Sequence, residues 1–170
     1  MFNLTGRHES HSNTENAGNP ERNTQQEHGR YGSTATVQVE PRRLGSVHTS
    51  YSPQHDGQPD PGEIVWTWVP FEENDGRGKD RPVLIVAREH AGTLLAVELT
   101  SKRHDATTGA DVAEWVALGE GPWDREARAS WVNLERVFRV HPAGMRREAS
   151  ALDHPRFLLV AERLRHLYGW

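Results

Sequence analysis

Hydrophobic and polar positions fall into two regimes along this chain. Through residue 58 Asn, Ser, Thr, Gln, Glu, His, Gly and Pro dominate and no apolar period is sustained. Such a stretch cannot offset the entropy of ordering itself and is expected to be a disordered tail. One short exception runs from Thr34 to Glu40, where Thr36, Val37, Gln38 and Val39 alternate. It either docks as an edge strand or stays coil, and coil is the expectation. At Pro59-Asp60-Pro61-Gly62 the regime changes, because two prolines and a glycine punctuate the entry to a strand-like run. From Glu63 to Val69, Ile64, Trp66 and Trp68 share one face and Val65, Thr67 and Val69 the other, which predicts a strand with one well-buried face.

The polar, glycine-bearing stretch from Pro70 to Asp80 reads as a hairpin loop, and the apolar run Val83-Leu84-Ile85-Val86-Ala87 behind Arg81-Pro82 as a central strand. Further strands are predicted over Thr93 to Leu99, Val112 to Leu118 and Trp131 to Val140. The end of the chain changes period. Asp153 can cap a helix that accepts Pro155 in its first turn, and Phe157, Val160 or Ala161, Leu164 and Leu167 or Tyr168 recur at helical spacing before Gly169. Five short strands and a closing amphipathic helix predict a mainly β fold, a small curled sheet or barrel.

Composition sharpens this division. The apolar types, Cys included, number 11 in the first 60 residues and 48 in the remaining 110, so only the second part can bury a core. The expected organisation is a tail over 1–58 and one domain over 59–170. With no cysteine there is no disulfide framework, thiolate metal site or cysteine nucleophile. No run approaches the roughly 18 apolar residues of a membrane-spanning helix, and Met1-Phe2-Asn3-Leu4 is not followed by the apolar region of a signal peptide. A soluble cytoplasmic protein with no membrane partner is the expectation. Five of the ten histidines, His8, His11, His28, His48 and His55, lie in the tail at irregular spacing, which suits solvated side chains better than a metal site. The formal net charge of -4 gives no general attraction to nucleic acid, so any such contact must rest on a local basic patch.

Four motifs in order carry a resemblance: Gly62-Glu63-Ile64-Val65-Trp66, then Lys79-Asp80-Arg81-Pro82 before the apolar strand, then Leu99-Thr100-Ser101-Lys102, then Asn133-Leu134-Glu135-Arg136. Over roughly residues 61 to 170 the chain resembles the MazF/PemK toxins, whose first strand typically reads G-[DE]-[IV]-V-W and whose fifth-strand region carries D-Q-x-R. The last motif departs from that pattern, with Asn133 where many members have aspartate. The resemblance implies an SH3-like barrel of about five to seven strands with a C-terminal helix, a two-fold homodimer, and cleavage of single-stranded RNA. It also implies a cognate antitoxin protein that wraps the toxin and blocks its RNA groove.

Metal-free RNA cleavage uses the ribose 2'-hydroxyl as nucleophile, so the protein need supply only a proton acceptor, a proton donor and positive charge at the phosphorus. No cofactor or metal is called for. Arg81 leads the candidates: it stands between the basic loop and the buried strand, and its fork can present two donors to phosphate oxygens. A guanidinium is a poor base, so charge stabilisation is its expected role; the plainer alternative is an ion pair with Asp80 or Glu98. Thr100 and Ser101 match the family's phosphate-holding pair, although a Thr-Ser pair at a strand end also commonly starts a turn. Arg77, Lys79, Arg88, Lys102 and Arg103 surround the same strand ends and can line a groove for the RNA backbone. Asn133 cannot accept a proton at useful pH but can bond a base edge, leaving Glu135 or His104 as acid or base. Trp131 either stacks a base or packs in the core, and Trp115 and Trp123 are read as packing or dimer-contact residues. The rival reading is a non-catalytic SH3-like barrel that binds nucleic acid or a protein partner. Convergence of Arg81, Thr100 and Ser101 on one groove beside a proton acceptor discriminates the two.

Overall fold

The computed structural model describes residues 28–102 and 114–170. Seven antiparallel strands form one sheet: β1 (Val37–Val39), β2 (Glu63–Pro70), β3 (Gly78–Arg88), β4 (Leu94–Thr100), β5 (Trp115–Gly119), β6 (Ser130–Val140) and β7 (Arg147–Ala151). Their order is β1-β6-β4-β3-β2-β7, with β5 added on β6. Helix α1 (His154–Tyr168) closes the chain. Five of the strands and the helix fall where the apolar periods place them; part of the expected Val112–Leu118 strand lies outside the described residues. Helix α1 starts as expected, with the Asp153 side chain accepting the Arg156 N–H and Pro155 in the first turn. It ends on Gly169 in the left-handed region at φ 68°.

The sheet buries both faces, not one. Ile64 on β2 joins Leu84, Val86, Leu95, Val97, Leu99, Val132 and Leu134 under Phe157, Val160, Ala161 and Leu164 of α1. The alternate residues Val65, Val69, Val83, Ile85, Leu94, Ala96, Phe138 and Val140 form a second cluster, with Met145 at its side. Among the described residues no helix contributes to that second cluster; the sheet is curved, because β1 approaches β2 through the Thr36–Thr67 hydroxyls and Arg136 of β6 reaches the Pro70 carbonyl of β2. That is why β2 is buried almost throughout and not only on its tryptophan face. Trp66 keeps some exposure while Trp68 is buried.

Residues 1–27 lie outside the described residues, but the polar stretch from 28 onward is docked. Val37, Gln38 and Val39 pair with Arg139, Phe138 and Val137 of β6, so the edge-strand alternative for Thr34 to Glu40 replaces the expected coil. The reason is that a segment too polar to build a core can still satisfy the open main-chain groups of a sheet edge and cover an existing core. Val39, Leu44, Val47 and Tyr51 pack against the helix-side cluster. Thr36 and Thr67 hydroxyls bond at 2.8 Å, and Thr67 donates to the Gly144 carbonyl at 3.0 Å. Tyr51 lies 5.1 Å from the Phe157 ring and donates its hydroxyl to the Leu152 carbonyl at 2.6 Å. Gly62 makes this packing possible: its φ is +98°, and a Cβ there would lie 2.6 Å from the Tyr51 ring.

Tyr51→Phe is therefore expected to cost about 1 kcal/mol, the net worth of one hydrogen bond, and deletion of residues 1–58 considerably more. Urea unfolding of the three proteins measures this. A deletion variant as stable as the full chain would show that residues 28–58 contribute nothing to the fold.

Candidate functional site

Strand alternation places Arg81, Val83 and Ile85 of β3 on one face, and Leu94, Ala96, Glu98 and Thr100 of β4 on the same one. The apolar members fill the second core cluster. The polar members continue that face past the end of the cluster, so the core runs without a break into a polar groove. Between Val97 and Glu98 the ladder to β6 jumps from Val137 to Asn133. Leu134, Glu135 and Arg136 bulge from it, and Arg136 turns back over the strand end.

The groove, about 480 Å³, is lined by Arg77, Arg81, Glu98, Thr100, Lys102, Asn133 and Arg136, with Phe71 and Trp115 on its walls. Glu98 is its buried anion. Its Oε1 accepts from Arg136 Nη1 at 3.2 Å. Its Oε2 lies 3.7 Å from Arg81 Nε without a hydrogen bond. Arg136, itself buried, also donates to the Pro70 carbonyl at 2.7 Å, and from Nε and Nη2 to Gln38 Oε1 of β1 at 3.2 and 3.1 Å. The Thr100 hydroxyl accepts the Lys102 N–H at 3.2 Å, and the Asn133 carboxamide oxygen accepts the Glu135 N–H at 3.0 Å. Both side chains thus shape the main chain that borders the groove.

Ser101 follows Thr100, the last residue of β4. It lines a neighbouring groove of about 370 Å³ with Lys79, Trp66, Trp123, Asp124 and Arg128, and Arg81, Thr100 and Lys102 border both. Lys79 is held below the usual lysine pKa, first by the Arg81 charge, then by burial and by Lys102 and Arg128. Arg81, Lys102 and Arg128 thus lie close enough to act on the Lys79 ammonium, a local positive field that the overall charge of -4 conceals. Trp123 is buried, with its indole N–H on Ser130 Oγ at 2.9 Å and Arg156 over its ring at 5.2 Å.

Of the residues singled out in the sequence, Arg77, Arg81, Thr100, Lys102 and Asn133 meet in one groove; Ser101 and Lys79 belong to the second. Arg103 and His104 lie outside the described residues, Glu135 is exposed and absent from the groove lining, and Arg88 is bonded to Asp60 at 2.7 Å. The ion pair weighed as the plain alternative for Arg81 exists, with Glu98 and not Asp80; it coexists with the arginine's place in the groove. Sequence reasoning missed Glu98 as a site residue, together with Arg136, Gln38 and Arg128. The signal for Glu98 was present: it is the one charge in Leu94-Leu95-Ala96-Val97-Glu98-Leu99. A charge inside an apolar strand is buried only when paired. Asp56, Asp60 and Glu63 bring carboxylate oxygens within 4.8 Å of one another, the spacing of a cation-binding cluster, but none of them lines either groove.

Arg136→Ala should destabilise the fold by about 3–5 kcal/mol, because it leaves the buried Glu98 charge with only a distant, unaligned partner. Arg81→Ala removes that weaker contact and should cost about 1 kcal/mol or less. Chemical denaturation of both variants checks the order; equal losses would contradict the hydrogen-bonding pattern described.

The family model for the PemK-like, MazF-like toxin of type II toxin-antitoxin systems matches residues 60–168. That match runs from the turn before β2 to the last turn of α1 and contains every residue lining the two grooves; Gln38, which holds Arg136 from β1, lies before it. No curated protein matches the chain. A family match over most of the chain, on a mainly β sheet with a closing helix, is sufficient: the chain belongs to the PemK-like, MazF-like family of type II toxins.

Proposed function

We propose that this toxin is a metal-independent endoribonuclease that cuts single-stranded RNA by attack of a ribose 2'-hydroxyl on the adjacent phosphate. The observation that carries the reading is the convergence of Arg81, Thr100, Lys102 and Asn133 on one groove beside Lys79, whose ammonium feels the charges of Arg81, Lys102 and Arg128. Such a field gathers a polyanion. Arg81 is the group that stabilises charge at phosphorus, Thr100 holds a phosphate oxygen, and Lys79, Lys102 and Arg77 track the neighbouring phosphates. Ser101, in the second groove, contacts the strand as it leaves the first. Trp115, on the wall of the first groove, offers a face for a base. No metal enters this chemistry, because the nucleophile belongs to the RNA itself. The partners that go with this reading are a cognate antitoxin covering the groove and a second copy of the chain, in the cytoplasm. Among the described residues no helix is long and apolar enough to cross a membrane.

The second reading, a binding domain without catalysis, is favoured by one observation: Asn133 points its carboxamide oxygen at a main-chain N–H and offers no proton acceptor.

Incubation of the purified protein with a long unstructured RNA in EDTA separates the two. Specific cuts leaving 2',3'-cyclic phosphate and 5'-hydroxyl ends are expected, with Arg81→Ala slower by about 10²–10³ and Thr100→Ala also slower. Intact RNA after exposure to folded protein freed of any partner, or cleavage that needs an added metal, overturns the proposal. The salt dependence of RNA affinity gives an independent check: Lys79→Ala and Lys102→Ala should each flatten the log–log slope by about 0.7. An unchanged slope removes that lysine from the phosphate track.

A further inference from the structure

We infer that Glu98 is the proton acceptor for the 2'-hydroxyl, supplying from β4 the carboxylate that β6 lacks at Asn133. The inference rests on the ribonuclease reading above and deepens it. Glu98 and Asn133 are paired residues on neighbouring strands, so the two positions share one patch of the groove. Among the described groove-lining residues the other carboxylates, Glu72 and Glu73, are exposed in the loop after β2. Glu98 alone is buried next to Thr100 and Arg81.

Its two oxygens are used differently. Oε1 is fixed by Arg136, which is anchored in turn by Pro70 and Gln38. Oε2 makes no hydrogen bond and is covered by Arg81 at 3.7 Å. A phosphate in the groove offers the Arg81 fork two well-directed oxygens in place of one unaligned carboxylate oxygen. Substrate binding therefore draws Arg81 away from Glu98 and uncovers Oε2 where the 2'-hydroxyl arrives. The 2'-hydroxyl proton passes to Oε2 as the 2'-oxygen bonds to phosphorus. The P–O5' bond breaks, its electron pair goes to the 5'-oxygen, and that oxygen takes a proton from water. Glu98 then returns its proton to the solvent, so the products are a 2',3'-cyclic phosphate and a 5'-hydroxyl.

A carboxylate at this position repels phosphate, so the inference predicts opposite effects on binding and on chemistry. Single-turnover cleavage of saturating RNA should fall by about 10²-fold or more in Glu98→Gln. Affinity for an uncleavable RNA carrying a 2'-deoxy sugar at the cut site should stay level or rise. Glu98→Asp, which keeps the carboxylate, should retain part of the rate. The pH profile adds a readout that a purely structural role would not move. Arg81, Arg136, Lys102 and Arg77 line the groove with Glu98, and Glu72 and Glu73 are its other carboxylates, so an acid limb of the rate is the feature to follow. Its loss in Glu98→Gln assigns it to Glu98 and not to Glu72 or Glu73.

A Gln variant as fast as wild type, or one whose whole defect lies in RNA affinity, overturns the inference. If the Gln variant does not fold, the profile of the Glu72→Gln/Glu73→Gln double variant decides. An acid limb that persists there supports the assignment, whereas one that disappears overturns it. Wild-type protein that cuts no RNA at all fails the ribonuclease reading itself; active wild type beside an equally active Gln variant removes Glu98 alone.

Discussion

A carboxylate taken out of water must find a cation with aligned donors, and the meeting of Glu98 with Arg136 is the constraint around which this groove is arranged. Glu98 sits at the step where the inner face of the sheet stops being apolar. Directly before it on that face lie Ala96 and Leu94, packed in the core; directly after it lies Thr100. An anion at this border is tolerable only because the ladder between β4 and β6 slips there and frees Arg136 to reach back. The bulge, the buried pair and the groove are thus one structural event seen at three scales. Arg136 links it to the rest of the molecule through the Pro70 carbonyl at the end of β2 and Gln38 in β1.

Those links give the segment before the family-matched region a physical role. Residues 28–58 contribute a strand at the sheet edge, a hydroxyl pair at Thr36 and Thr67, and an aromatic contact from Tyr51 to the start of α1. Gln38 carries that docking directly to the groove, because its carboxamide oxygen receives two N–H groups of the guanidinium that holds Glu98. A stretch that cannot build a core can still fix an arginine. The energetic logic is ordinary: the sheet edge supplies main-chain partners, the exposed rim of the helix-side core supplies apolar contact, and the chain before Pro59 needs to provide only a few residues of each.

Electrostatics follows from placement, not from total charge. The chain carries more acid than base, yet Arg81, Lys79, Lys102 and Arg128 approach closely enough to hold the Lys79 pKa down. Asp124 bonds Arg128 at 2.9 Å, and Asp75 bonds Arg77, another cation of the first groove, at 2.8 Å. Glu98 is buried in that groove with Arg136 and Arg81 as its ion-pair partners, and this is the reason it is a chemical group of interest and not only a counter-ion.

Much of the fold was written in local patterns. Apolar runs and period-two alternation located five strands, a capping aspartate with Pro155 located the helix, and the ordered motifs from Gly62 to Arg136 named the family, because each depends on residues close together in the chain. The site was legible to the extent that it follows those motifs: Arg81, Thr100 and Asn133 lie on strands that pair side by side, with Lys102 just past the end of β4. What the sequence left undecided depends on pairing between distant segments. Whether Val37 to Val39 becomes strand or coil is settled by the open edge of β6, a hundred residues on, and both faces of β2 are buried because the sheet curls. Ser101, just past the end of β4, lines the second groove, which Thr100 and Arg81 also line. Glu98 reads as an isolated charge until register sets it beside Asn133 and a three-residue slip brings Arg136 to it. Only the tertiary structure makes that carboxylate part of the groove, since its partners come from β3 and β6 and one of them is held by the segment before the domain.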